Sequence, residues 1–140
     1  MNKYLLLLFF VVFSFALISC KQPPPDNTTI TNLTAKEGFE LIQENKNNPD
    51  FVILDVRTPK EFNSGHIEKA VNIDYNAANF KEDLGTLDKN KTYALYCHSG
   101  RKSSTSSEIM GELGFKHIYN FGGVKQWKEA GYKLTPAEGQ

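Results

Sequence analysis

Cys97 and the run behind it, His98-Ser99-Gly100-Arg101-Lys102-Ser103, carry the residue types best suited to covalent chemistry. The thiol stands between the end of an apolar, β-prone run, Tyr93 to Tyr96, and a Ser-rich segment that reads as the start of a helix. Several backbone N–H groups converge at such a junction, and the helix dipole adds positive potential there. The position therefore favours a thiolate and binds anions. Gly100 has no Cβ and lets the backbone wrap a ligand closely. Arg101 and Lys102 either stabilise the thiolate and attract an anionic partner or stand as solvated charge. A general-base role is open to His98, although its side chain is expected to face solvent. A buried structural cysteine is the alternative for Cys97, but Ser99, Gly100, Arg101 and Lys102 are not core residues.

Alternating elements position this loop. A first strand is predicted over 29–33, followed by a helix that Thr34 and Glu37 open as a capping box. The unbroken apolar run 51–54 predicts a strand covered on both faces in a parallel sheet. Asp55-Val56-Arg57 lies at its carboxyl end, and Thr58 with Pro59 starts one capped helical turn. Strands over 70–73, 92–96 and 117–120 are predicted, with a weak helix over 76–84 and a firmer one over 103–113 that Gly114 ends. Gly122-Gly123 opens a last helix containing Val124 and Trp127, which Gly131 closes, and 134–140 reads as a frayed tail. Short buried strands alternating with helices imply an α/β domain with a mostly parallel central sheet. Ligands of open α/β sheets bind beyond the carboxyl ends of strands. Cys97 and Asp55-Val56-Arg57 both fall at such ends. Asp55 and Arg57 are expected to support the site as an ion pair or as partners of loop backbone; His66 is expected to hydrogen-bond within the fold and Trp127 to pack.

The 140 residues suit one ordinary domain with a short appendage, and 16 basic against 16 acidic groups give no polybasic surface for nucleic acid. Residues 1–19 read as a signal peptide: Lys3 is followed by an apolar run from Tyr4 to Ile18 broken only by Ser14. That run is shorter than the roughly 20 residues a spanning helix needs. Leu17-Ile18-Ser19-Cys20 resembles the lipobox of bacterial lipoproteins. The resemblance implies cleavage before Cys20, acylation of that cysteine and a firm membrane anchor, each buried methylene contributing about 0.8 kcal/mol. An uncleaved anchor and an ordinary secretory signal are the alternatives, and both still export the domain. The expected location is the outward side of a bacterial membrane, periplasmic or cell-surface. Residues 20–28, with Pro23-Pro24-Pro25, form a semi-rigid tether, 29–136 the domain and 137–140 a tail. With Cys20 acylated, no disulfide to Cys97 is expected.

Four stretches together resemble the rhodanese (sulfurtransferase) family over about residues 29 to 134. They are Ile53-Leu54-Asp55-Val56-Arg57 with Glu61-Phe62; Gly65-His66-Ile67-Glu68-Lys69-Ala70-Val71-Asn72-Ile73; the loop from Cys97 to Ser103; and Phe121-Gly122-Gly123-Val124 with Trp127. The resemblance implies a rhodanese-like fold, its central sheet flanked by helices on both faces. It makes Cys97 the nucleophile that accepts a sulfane sulfur as a persulfide. It makes residues 98 to 102 the backbone cradle for that anion, with Ser103 closing the loop. The reaction it implies takes sulfur from a small anionic, thiosulfate-like donor to a thiophilic acceptor such as cyanide, a thiol or a protein, with no metal or organic cofactor. Lys69 stands where many members have glycine, and Arg101-Lys102 stand at positions that vary with substrate.

Rival readings use the same thiol. Cysteine phosphatases and arsenate reductases clamp their oxyanion with a loop arginine; counted from Cys97, that place falls to Ser103, and Arg101 comes too early. A persulfide carrier or partner-binding module without turnover needs the same residues as the catalyst. A redox sensor working through sulfenic acid lacks a resolving cysteine in the domain.

Overall fold

The computed structural model describes residues 27–136. The signal peptide, Cys20, most of the tether and the 137–140 tail lie outside the described residues. Strands β1 (Thr29–Asn32), β2 (Phe51–Asp55), β3 (Val71–Asn72), β4 (Thr92–Cys97) and β5 (His117–Gly123) alternate with helices α1 (Ala35–Glu44), α2 (Pro59–Asn63), α3 (Phe80–Gly85), α4 (Arg101–Glu112) and α5 (Val124–Glu129). The sheet order is β1-β5-β4-β2-β3, and every neighbouring pair is parallel.

Side chains alternate across this sheet and feed two cores. Tyr93, Leu95 and Cys97 of β4 join Phe80 and Leu84 of α3 and Met110 of α4 on one face. Ala94 and Tyr96 join Ala35 of α1 and Val124 and Trp127 of α5 on the other. Burial on both sides explains why β2 and β4 are apolar without alternation. Thr34 and Thr58 cap α1 and α2 through complete capping boxes with Glu37 and Glu61. A Cβ on Gly38 would lie 2.7 Å from Phe121, so the bare glycine lets α1 settle onto β5.

Several boundaries move by a residue, and four differences from the sequence reading are larger. The helix expected over 76–84 forms only at Phe80–Gly85, because Asp74 takes the backbone N–H of Asn76 at 2.9 Å and turns the chain. Helix α4 begins at Arg101 rather than at 103, so Arg101 and Lys102 belong to its first turn. β5 continues to Gly123 instead of stopping at 120. The end is not frayed from 134: Thr135 pairs antiparallel with His66, donating to its carbonyl at 2.7 Å.

Candidate active site

β4 carries Cys97 to the carboxyl end of the sheet, where the residue is only 1 % exposed. Gly100, at φ +99°, then turns the chain through the left-handed region and starts α4. That turn aims the Gly100 N–H at Cys97 Sγ, 3.1 Å away. The backbone N–H groups of Ser99 and Ser103 and the Ser103 hydroxyl face the same sulfur. Burial pushes the thiol up, but these donors outweigh it and hold it below the ordinary cysteine value. The sulfur is thus held by donors that reward negative charge.

β5 braces the loop from beneath. Leu95 stands opposite Asn120, but Cys97 stands opposite Gly123, so Phe121 and Gly122 together oppose Tyr96 in a β-bulge. The extra residue brings Gly123 directly under His98 and Ser99. A Cβ on Gly123 would sit 2.3 Å from the His98 carbonyl oxygen and 2.7 Å from the Ser99 nitrogen. The Lys125 N–H donates to the same carbonyl at 3.1 Å. Ser103, fully buried, sets its Oγ 2.7 Å from Asn120 Oδ1 and 3.1 Å from the carbonyls of Gly100 and Gly122.

The structure gathers Cys97, Ser99, Gly100 and Ser103 around one point and sets the others apart. His98 contributes its backbone carbonyl and leaves its side chain exposed. Arg101 is exposed and Lys102 half-buried in the first turn of α4. Burial works against the nearby Glu61 carboxylate, but hydrogen bonds from Thr58 and the charges of Arg57 and Lys102 hold it below its usual range. The donors to Cys97 Sγ itself come from Ser99, Gly100 and Ser103.

Asp55 and Arg57 form a buried pair one strand away. Arg57 Nη2 lies 2.6 Å from Asp55 Oδ2 and donates to the Gly65 carbonyl at 2.8 Å. Burial works against the Arg57 charge, and Asp55 outweighs it and holds the guanidinium protonated. The guanidinium also lies over the Tyr96 ring, 5.6 Å from its centroid, and the Tyr96 hydroxyl accepts the Ile67 N–H at 3.0 Å. These residues lock the carboxyl end of β2 to the 65–67 turn and to β4. His66 donates through Nδ1 to the Phe62 carbonyl at 3.0 Å and stacks on the Phe62 ring. Trp127 packs in the second core, its Nε1–H on the Lys133 carbonyl at 3.1 Å. Asn120, the glycine pair and Tyr96 escaped the sequence reading as site supports. Only the doubled glycine carries a signal, as a helix opener and as part of the Phe121-Gly122-Gly123-Val124 stretch that resembles the family.

A cavity of about 650 Å³ lies elsewhere. It opens between the end of α1, the start of β2 and the 133–135 segment, over Trp127, Ile53 and Phe39. That is the core opposite to the one holding Cys97.

The family model for the rhodanese-like domain matches residues 39–130. The chain belongs to the rhodanese-like family. Its rhodanese domain is 36 % identical over 72 residues to thiosulfate sulfurtransferase PspE of Escherichia coli, covering 51 % of this chain and 69 % of that protein. It is 32 % identical over 122 residues to a putative mitochondrial thiosulfate sulfurtransferase of Schizosaccharomyces pombe, covering 77 % and 84 %. Among solved structures, a rhodanese-related protein of Thermoplasma volcanium superposes with a TM-score of 0.63 at 28 % identity, covering 75 % of this chain and 97 % of that one. The polysulfide-sulfur transferase homodimer of Wolinella succinogenes gives 0.61 at 26 %, covering 79 % and 82 %. The fold is the rhodanese-like α/β fold, and the enzyme class is that of rhodanese-type sulfurtransferases.

Proposed function

We propose that this rhodanese moves a sulfane sulfur from a small anionic donor of the thiosulfate type to a thiophilic acceptor through a persulfide on Cys97. The observation that carries the reading is the Gly100 N–H on Cys97 Sγ at 3.1 Å, with Ser99 and Ser103 aimed at the same atom. In the first half-reaction the Cys97 thiolate attacks the outer sulfur of thiosulfate. The new S–S bond forms as the donor's S–S bond breaks, and sulfite leaves with the electron pair. The anionic persulfide then rests among the N–H donors. In the second, a nucleophile such as cyanide takes the outer sulfur, and the Cys97 thiolate leaves. Arg101 and Lys102, in the first turn of α4 that follows the loop, favour an anionic donor. The thiosulfate sulfurtransferase names of PspE and the yeast relative support this donor class, and the name of the Wolinella neighbour makes polysulfide the second donor to try.

The test is intact mass after incubation with thiosulfate or polysulfide, followed by cyanide and measurement of thiocyanate. The expected result is a gain of one sulfur atom, lost in Cys97→Ser, and thiocyanate released over many turnovers. A single stoichiometric release would instead identify a carrier, and no sulfur uptake from either donor would overturn the proposal. We further propose that the domain is exported and held at a bacterial membrane by acylated Cys20, the sequence Leu17-Ile18-Ser19-Cys20 supporting this reading. Cys20→Ser should abolish acylation and move the protein to the soluble fraction; a variant that stays bound would refute it.

A further inference from the structure

The Ser103 hydroxyl has one proton and three oxygen neighbours within 3.1 Å, the nearest being Asn120 Oδ1 at 2.7 Å. Asn120 is itself buried and oriented from two sides. Its Nδ2 donates to Asn32 Oδ1 of β1 at 3.0 Å, and its Oδ1 accepts the Gly122 N–H at 3.3 Å. Because a backbone N–H can only donate, the amide presents its oxygen to Ser103. That hydroxyl also faces Cys97.

We infer that Asn120 is a positioning residue that holds the Ser103 proton while Cys97 is a neutral thiol and yields it to the sulfur when Cys97 becomes a thiolate or persulfide. The exchange leaves no buried group orphaned. In the thiol state Ser103 donates to Asn120; in the anionic state it donates to sulfur, and Asn120 Oδ1 keeps the Gly122 N–H. No bond other than a hydrogen bond changes. Asn120 thus competes with the sulfur for one donor and sets how strongly the thiol form is favoured, while Asn32 sets how firmly Asn120 competes. The inference rests on Cys97 as the reactive thiol but not on which sulfur compound it meets.

Alkylation by iodoacetamide as a function of pH reads the sulfur directly, with no sulfur donor present, so its failure is separate from failure of sulfur transfer. The other charged or titratable groups around the loop are His98, Arg101 and Lys102, Glu61 of α2, the Asp55–Arg57 pair at the carboxyl end of β2 and Lys125 of α5. A His98→Asn background removes the imidazole, the side-chain type that titrates near neutral pH. In that background Ser103→Ala should raise the alkylation midpoint by about one pH unit, because a donor to the anion is lost. Asn120→Ala should lower it by about half a unit, making alkylation roughly threefold faster below the midpoint. Asn32→Ala, an exposed site that leaves the core intact, should shift it the same way by less. A residue that merely shapes the loop would move the midpoint upward with Ser103→Ala. An upward or absent shift in Asn120→Ala, or in Asn32→Ala where Asn120→Ala does not fold, overturns the inference.

Discussion

Gly123→Ala isolates the contact on which the sulfur cradle rests. Gly123 has φ −161°, extended backbone that alanine adopts freely, so the substitution brings no conformational strain of its own. It brings a collision. The added Cβ would lie 2.3 Å from the His98 carbonyl oxygen, 2.4 Å from its carbon and 2.7 Å from the Ser99 nitrogen, against 3.4 Å for ordinary contact. All three atoms are backbone, so relief requires moving residues 98 and 99 by about an ångström. Overpacking of this kind costs about 1–3 kcal/mol. The same displacement takes the Ser99 N–H off the sulfur, and one hydrogen bond to a charged group is worth about 1.5–3 kcal/mol. The Cys97 thiol should therefore rise by at least about one pH unit. Urea unfolding measures the first effect, and the pH dependence of thiolate absorbance in the folded protein measures the second. A Gly123→Ala protein with unchanged stability and an unchanged Cys97 titration would refute the claim that β5 sets the loop.

Other consequences are as direct. Asp55→Ala leaves the Arg57 charge buried without its partner and should cost about 3–5 kcal/mol in chemical denaturation; a loss under 1 kcal/mol would mean that water reaches the guanidinium. Because the folded Cys97 is held below the value of a free thiol, its ionisation adds stability that is full above about pH 8.5 and lost as pH falls through the folded midpoint. The unfolding free energy of the native protein relative to Cys97→Ala should accordingly rise from acid to alkaline pH. A flat difference would show that the donors do not favour the anion. Trp127→Phe deletes the donor to the Lys133 carbonyl and should cost about 1 kcal/mol, with faster hydrogen exchange at the Thr135 amide. Arg101→Ala with Lys102→Ala should slow the reaction with thiosulfate and weaken its salt dependence, leaving neutral alkylation less affected.

The sheet was legible because burial on both faces writes strands as unbroken apolar runs, as in 51–54 and 92–96, and because capping boxes mark helix starts at Thr34 and Thr58. The reactive loop was legible because a cysteine between such a run and a Ser-rich segment has few structural uses. Its supports were not. Asn120 carries no local pattern that distinguishes it from a turn residue, and its role depends on a bulge that no spacing in one strand reveals. The first turn of α4 is hidden in the sequence because Arg101 and Lys102 read as loop charges, whereas the left-handed Gly100 lets the helix start at once. Thr135 gave no sign of pairing, since its partner His66 lies far back in the chain and the bridge is a single one.

A sheet whose five strands all run one way has two unlike poles. The chain enters the sheet at the start of β1, and Cys97 is the last residue of β4, so entry and chemistry are separated by the full height of the sheet, about 20 Å for six residues. Anything attached ahead of β1 joins the pole remote from Cys97.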